Sequence, residues 1–482
     1  MKEKTNRGKS GIAYNVIGIL YILAVAALVV SVYMVGVLPM MYFGAIVAVL
    51  AVISIPVLIA LFGKSKTADR IAKTGKKKFA SIVAVLMILG SGAGTYYMAS
   101  TLDFFGNISK NVQTHEYYMV VRADSEYEML KDISGKSVGI MKDTDKLYDE
   151  AKDKLADKVD VKFTEAGGFD ALAKSLIDEK SEAVFMNSAF YDMALEEVDG
   201  FTKENTRILY CVEVEVESGR KTGKIDVTKD SFNVYVSGLD TSGSIANVSR
   251  SDVNMLMTVN SKTRTILLTS IPRDYYVELA SKGAMDKLTH SGIYGIDETT
   301  ATVGKLLDTD IDYYLKVNFS TVTDLVDELG GITVNSDYAF STVGFDFVEG
   351  ENFLNGKQAL AFSRERYSFS DGDNQRIRNQ QAVIVGIINK CAGSPSILTN
   401  YTGILGAVKD SMQTSMSQKE IKSLVKMQIG DMRKWTIIRQ SVTGDGLMTP
   451  VYSMPNTSVY VMVPDKESVE SAKIQIDEVM GE

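Results

Sequence analysis

Histidine and cysteine are nearly absent, with two of each among 482 residues. Zinc sites gather several imidazoles or thiolates at short spacings. His115, His290, Cys211 and Cys391 form no such cluster. Two histidines also leave little scope for a Ser-His-Asp triad. Two cysteines impose no disulfide framework. They either pair in an oxidising exterior or stand as unpaired, buried small apolar residues, and the second reading is adopted. A surplus of positive charge is missing too. The formal net charge of -8 argues against a generic nucleic-acid binder, which is usually basic.

Charge of either sign is absent from Gly11 to Gly63. That stretch holds two spans of about 20 residues each. The Gly36–Pro39 turn is the natural break, because proline is poorly tolerated inside a helix. The first span is read as 11–35, the second as 38–62 and a third as Phe79–Ala99. One short apolar region would mark a cleaved signal peptide, and this pattern differs. Lys2, Lys4, Arg7 and Lys9 precede the first span. Lys64, Lys66, Arg70, Lys73, Lys76, Lys77 and Lys78 lie between the second and third. The positive-inside rule puts both basic segments in the cytoplasm. The expectation is a three-span membrane protein with 1–10 and 64–78 inside and everything beyond about residue 100 outside.

Two extracytoplasmic modules are expected. Residues 112–225 alternate strand-like and helix-like runs. These are a strand at Tyr117–Arg122, a helical stretch ending near Asp132, a strand at Ser137–Met141, a helix at Asp145–Ala156 and a strand at Val159–Thr164. A helix at Phe169–Glu179 and a strand at Ala183–Met186 follow. Such alternation predicts a small accessory α/β domain with a mostly parallel sheet. Its DISGKSVGIMKDT segment loosely resembles the start of a half-domain of periplasmic-type solute-binding proteins. The alternative is a spacer or interaction module.

The second module, 231–465, carries the chemistry. Strands are expected at Phe232–Ser237, Val253–Val259 and Thr265–Ile271. They are bounded by Asp240, by Ser249-Arg250-Ser251-Asp252 and by Pro272-Arg273-Asp274. Ligands of α/β sheets bind at strand ends. Tyr313–Phe319 reads as a strand, Ser320–Leu329 as a helix stopped by Gly330-Gly331, and Gly356–Phe362 as a short helix. Arg364 and Arg366 follow in chain read as extended, where residues two apart point the same way. Asp373 is placed as the N-cap of a helix running to Lys390. Arg376 and Gln380 share a face of that helix.

Five arginines in short motifs are the cations that could converge: Arg250, Arg273, Arg364, Arg366 and Arg376. Guanidinium groups bind phosphate oxygens through a planar fork and stay charged. Carboxylates beside them would repel a phosphate unless a divalent cation intervenes. Mg²⁺ takes one or two carboxylates plus substrate phosphates, and Asp240 and Asp252 fit that need. The residues predict a pyrophosphate site with Mg²⁺, with structural salt bridges as the alternative.

The ordered motifs VSGLD, SRSDVNMLMTVN, LLTSIPRDYYV, DKLTH, IDYYLKVNF, LVDELGGI, NGKQALAFSRERY and DNQRIRNQQ closely resemble the LytR-CpsA-Psr (LCP) family over about 231–390. The spans and extra module resemble its streptococcal capsule-attachment members. The resemblance implies an α/β/α sandwich with a central mixed sheet and an apolar tunnel for a polyprenyl tail. It implies a glycopolymer transferase. The substrate is an undecaprenyl-pyrophosphate-linked polysaccharide, the acceptor is peptidoglycan, and the product is a phosphodiester. Membrane lipid and capsule-assembly membrane proteins are the further partners expected, and nucleic acid is not. By the same resemblance Asp240 and Asp252 hold Mg²⁺ (or Mn²⁺). Arg250, Arg273, Arg364, Arg366 and Arg376 bind the pyrophosphate, with Gln380 and Lys287 beside them. Asp252 and Arg273 are the catalytic candidates, the first as base. Asn379 departs from the pattern, since many members have Arg there. A membrane-bound transcriptional attenuator and a lipid-pyrophosphate phosphatase are the alternative functions.

Overall fold

The computed structural model describes residues 2–63, 70–109, 111–142, 145–218, 225–239, 244–393 and 401–481. The chain forms two compact units, one of 1–107 with 417–433 and one of 108–416 with 434–482.

The first unit is helical. It holds α1 (Lys2–Val35), α2 (Met40–Phe62) and α3 (Arg70–Ile108). Three segments are long and apolar enough to cross a membrane: Ile12–Val35, Met40–Phe62 and Gly75–Ile108. Gly36 has φ +71°, a left-handed conformation that glycine adopts without strain, and it ends α1 where the turn was expected. Some polar groups inside the bundle are paired, whereas the buried hydroxyls of Ser91 and Thr95 have no partner among the described residues. Tyr21 OH and Ser54 Oγ lie 2.8 Å apart, and Lys77 Nζ donates to the Leu61 carbonyl at 3.0 Å near the end of α2. The helix Gln418–Asp431 belongs to this unit, with Lys422 5.5 Å above the Phe105 ring.

The second unit contains two sheets. The accessory part comprises β1 (Val112–Arg122), β2 (Ser137–Met141), α4 (Lys146–Ala156), β3 (Lys162–Ala166), α5 (Phe169–Ile177), β4 (Ala183–Asn187), α6 (Ser188–Glu197) and β5 (Thr206–Glu217). Its strand order is β3-β2-β4-β1-β5. The sheet is mixed, in contrast to the mostly parallel sheet expected. Only β3, β2 and β4 run parallel, whereas β1 is antiparallel to both β4 and β5. Two long strands lacking a helical crossover pair side by side, which sequence alternation alone does not reveal.

The larger part starts with β6 (Ser231–Leu239), β7 (Val253–Asn260), β8 (Thr265–Ile271), β9 (Tyr276–Glu278) and β10 (Met285–Lys287). It continues through α7 (Leu288–Ser291), α8 (Ile296–Leu307), β11 (Tyr313–Asn318), α9 (Phe319–Glu328) and the short strands β12 (Ile332–Ser336), β13 (Phe340–Thr342), β14 (Phe345–Phe347) and β15 (Gly350–Leu354). Then come α10 (Gly356–Arg364), α11 (Asp373–Gly393), β16 (Met412–Thr414), β17 (Thr436–Ser441), β18 (Gly444–Val451) and β19 (Met454–Pro464). The central sheet has the order β16-β11-β6-β7-β8-β17 and is mixed.

Residues along β6 are buried almost without a break, as expected of a strand covered on both faces. On one face Tyr235, Leu256 and Leu267 pack against Val303 and Leu307 of α8 and Ile476 of the closing helix Lys466–Met480. On the other face α11 crosses β8, where Gln381 Nε2 donates to Ser270 Oγ at 3.0 Å and to the Gln440 carbonyl at 2.7 Å. Burying one such leucine stabilises the fold by about 1.5–3 kcal/mol. Helices on both faces of a mixed sheet make an α/β/α sandwich.

Candidate functional site

The site begins where β6, β7 and β8 end or start. Asp252 N donates to the Gly238 carbonyl at 2.9 Å, and Thr289 N to the Arg273 carbonyl at 2.8 Å, so the loops bordering β6, β7 and β8 are laced together. Ser251 is buried, its Oγ 2.7 Å from Ser237 Oγ and 3.3 Å from Tyr235 OH. That anchor leaves its neighbours Arg250 and Asp252 half-exposed. Glycine is needed at 292, because a methyl group there would lie 2.5 Å from the Ser249 carbonyl oxygen.

Charges then alternate along a chain. Asp252 Oδ1 takes Arg273 Nη1 at 2.7 Å, Arg273 Nε lies 3.6 Å from Asp274, and Asp274 Oδ1 meets Lys287 Nζ at 3.1 Å. Across from this chain, Arg376 pairs with Asp373 at the start of α11. The two groups feel one another. Burial pushes the Arg376 guanidinium down; Asp373 partly offsets this, and the charges of Arg273 and Arg366 push it further down. For Arg273 burial also opposes the charge, but Asp252 and Asp274 outweigh it and the net direction is up. The buried Nε atoms of Arg273 and Arg376 have no hydrogen-bond partner. So do the buried hydroxyls of Ser249 and Thr289. Buried guanidinium donors left unsatisfied are costly, and an anion in their midst would satisfy them.

Not every expected residue joins this cluster. Arg250 directs its fork at Glu196 of α6, with bonds of 2.9 and 2.6 Å. Burial lowers its affinity for the proton, Glu196 more than compensates, and the net direction is up. Glu196 stands 54 positions away in the other sheet's domain, so no local motif could announce it. Arg364 and Arg366 are not in one extended run. Arg364 is the last residue of α10, and Glu365 leaves the helix with ψ 130°. A capping box at Asn355 starts α10, and the helix runs on to Arg364, so its end separates the two arginines and the period-two argument does not apply. The Arg364 guanidinium lies 5.1 Å from the Phe319 ring centre. Arg366 lies 4.7 Å over Tyr367 and donates to its hydroxyl at 2.6 Å.

Asp373 is likewise the first residue inside α11 and not its cap, and its carboxylate goes to Arg376 instead. Gln380 is half-buried one helical turn beyond Arg376, on the face expected. Asn379 is 1 % exposed, donating to the Phe362 carbonyl at 3.1 Å and accepting from Gln375 at 3.0 Å. Asn379 therefore ties α10 to α11 and takes no part in the charge cluster. Tyr460 of β19 was not foreseen. The carboxylates of Asp274 and Asp373 both help push its phenol up, after burial.

Asp240 lies outside the described residues, so Asp252 is the described half of the expected metal pair. One carboxylate beside unsatisfied anion donors suits Mg²⁺, which completes its shell with phosphates and water. Among the described residues, the group of acidic and thiol side chains close enough to share an ion lies elsewhere, at Glu116, Cys211 and Glu213. Burial first, and then the two carboxylates, push the Cys211 thiol up to about 11, so it is protonated at neutral pH and a poor ligand. Both cysteines are free, but neither is fully buried as expected: Cys211 is half-buried at the edge strand β5 and Cys391 is exposed near the end of α11.

Known proteins resemble this chain in sequence. A transferase named polyisoprenyl-teichoic acid–peptidoglycan teichoic acid transferase TagU, from Bacillus licheniformis, is 41% identical over 203 residues, covering 42% of this chain and 65% of that protein. TagU of Bacillus subtilis is 44% identical over 190 residues, 39% of this chain and 61% of its own length. The chain thus matches a little under two thirds of each of these two relatives. TagU of Halalkalibacterium halodurans is 34% identical over 259 residues, 52% of this chain and 82% of its length. A crystal structure of B. subtilis TagU aligns with 52% of this chain and 97% of its own, at 35% identity and a TM-score of 0.42. The LytR_cpsA_psr family model matches residues 205–476, more than half of the sequence and the whole of the arginine cluster. The chain belongs to the LytR_cpsA_psr family.

Proposed function

We propose that this protein transfers a glycopolymer from a polyprenyl-pyrophosphate carrier to peptidoglycan, outside a membrane in which α1–α3 anchor it. The observation that carries the reading is the pair of buried, unsatisfied Nε donors of Arg273 and Arg376, set among Asp252, Asp274, Lys287 and Asp373. The relatives named as teichoic acid transferases support the reaction class. The basic flanks of the first and third helices support an outward-facing catalytic part. A capsular polysaccharide is the polymer this reading favours.

Phosphoryl transfer asks the protein mainly for positioning and charge stabilisation. Arg273 and Arg376 bind the bridging and terminal oxygens of the pyrophosphate, and Arg366 and Lys287 extend the cationic surface around them. Asp252 fixes the Arg273 fork. With Asp240 it would hold Mg²⁺, which when bound neutralises phosphate charge. The acceptor hydroxyl attacks the sugar-proximal phosphorus. A new P–O bond forms, the bridging P–O bond breaks, and polyprenyl phosphate leaves with the electron pair. The hydroxyl proton passes to Asp252 or to water.

The test incubates the full chain in detergent with lipid-linked glycan, Mg²⁺ and peptidoglycan. Polymer joined to the wall through a phosphodiester is expected. Free glycan phosphate with no wall product would show hydrolysis, and the transferase reading would be withdrawn.

A further inference from the structure

A second cavity lies away from the arginine cluster, between the accessory sheet and the larger sheet's domain. Its volume is about 280 Å³, at the small end for ligand sites. It opens at the C-terminal ends of the three parallel strands β2, β3 and β4, where α/β sheets bind ligands. The first turns or N-caps of α4, α5 and α6 reach it through Asp145, Gly168 and Asn187. Asp145 and Asn187 cap their own helices, accepting from Leu147, Tyr148 and Ala189 backbone N–H groups. No side chain caps α5, whose nine residues begin after Gly168.

An independent feature points the same way. His115 lines the cavity and is 4 % exposed, yet no hydrogen bond to its ring is present among the described residues. A buried imidazole on the wall of a cavity can hydrogen-bond an occupant through a ring nitrogen. Lys142 and Lys282 supply positive charge to the lining, and the Lys282 Nζ stands 4.6 Å over the Tyr294 ring. Phe190 and Tyr294, one from each sheet's domain, form an aromatic wall with centroids 6.4 Å apart.

We propose that this cavity binds a small organic acid. One carboxylate sits at the uncapped N-terminus of α5, within reach of Lys142 and His115, and the body of the ligand lies against Phe190 and Tyr294. A single negative charge fits better than a phosphate dianion, because Asp145 borders the cavity and Asp170 is buried in the first turn of α5. The helix N-terminus and the lysines favour the anion. None of these residues belongs to the transfer site, so this site stands or falls separately from it.

Calorimetric titration of the full chain in detergent tests the assignment with four probes: benzoate, its neutral isostere benzamide, the dipeptide D-alanyl-D-alanine and inorganic phosphate. Benzoate is expected to bind at least tenfold more tightly than benzamide and phosphate. Lys142→Ala and His115→Phe should each weaken benzoate at least tenfold while leaving wall transfer unchanged, and Lys142→Ala should also leave the melting temperature unchanged. Dipeptide binding with the same Lys142 dependence would identify a peptide-borne carboxylate as the source; benzoate binding alone would identify a free acid. Failure of both carboxylates, equal binding of benzamide, or binding of phosphate alone would overturn the proposal. So would benzoate binding that survives Lys142→Ala but disappears in Arg273→Ala, since that locates the anion in the arginine cluster.

Discussion

The two sheets of the second unit share one architecture and use it differently. Both place chemistry at strand ends covered by helix starts. At the ends of β6, β7 and β8 the side chains are charged in alternation, and buried guanidinium donors are left unsatisfied. At the ends of β2, β3 and β4 the helix starts are mostly self-capped, and the buried titratable group is a histidine that burial keeps neutral. An arrangement of the first kind suits a multiply charged, hydrophilic centre. The second suits a small ligand of low charge. The difference teaches that architecture sets where a site can form, and the residues at the strand ends set what it holds.

The largest expected effect breaks the charged end. Arg273→Ala removes the partner of Asp252 and a second, longer link to Asp274. Wall transfer should fall by about two to three orders of magnitude, about 3–4 kcal/mol of transition-state stabilisation. Transfer rates on lipid-linked glycan measure it. A fall of less than tenfold would move the reaction away from this cluster.

The next prediction concerns the neutral end and its pH response. Burial pushes His115 down from 6.5 to about 4; Asp145 opposes this and Lys316 adds to it. A base whose folded pKa is depressed contributes stability fully above 6.5, and the unfolded chain binds the extra proton below that. Stability should therefore fall as pH drops from about 6.5 toward 4, by on the order of 3 kcal/mol in all. Melting temperatures at stepped pH check it. In His115→Phe the slope across that window should be shallower than in the parent.

Much of this contrast was legible in the sequence, for identifiable reasons. Ser137–Met141 and Thr265–Ile271 are strands with the bounds expected, because apolar runs flanked by turn residues define strands locally. Gly36–Pro39 and Gly330-Gly331 break helices as expected, since glycine and proline act through their own backbones. Asp252, Arg273, Lys287 and Arg376 fall into one cluster because short motifs border neighbouring strands. What was not legible depended on distance or on a boundary. The Glu196 partner of Arg250 comes from another sheet. The antiparallel pairing of β1 is a tertiary choice. The end of α10 between Arg364 and Arg366 is a matter of two residues, which is within the ordinary uncertainty of helix ends.

That boundary sharpens the third prediction. Arg366 contributes to the field on Arg376, whereas Arg364 stacks on Phe319. Arg366→Lys should lower transfer about tenfold, close to 1.4 kcal/mol, because lysine lacks the planar fork. The melting temperature should stay within a degree or two of the parent. Arg364→Lys should disturb stability more than Arg366→Lys does, through the lost ring contact. Equal losses of transfer in both variants with unchanged melting would restore a shared phosphate role for the pair.

The smallest effect is expected where the two ends meet. Arg250 belongs to the motif that borders β7, yet its fork is held by Glu196 of the accessory part. The Glu196 side chain is 56% exposed and that of Arg250 24%, so solvent screens the pair. Glu196→Gln should therefore reduce stability by no more than about 1 kcal/mol, and added salt should narrow the difference. The same change releases a guanidinium that also lies in the field of Asp252. If Arg250 leaves Glu196 to meet the pyrophosphate, the variant should bind a polyprenyl pyrophosphate about two- to threefold more tightly, about 0.5 kcal/mol. Arg250→Ala should then weaken binding in the parent and in the variant alike. Unchanged affinity in Glu196→Gln, together with an equal loss of stability in Arg250→Ala, would make this contact a tie between the two sheets and remove Arg250 from the phosphate-binding set.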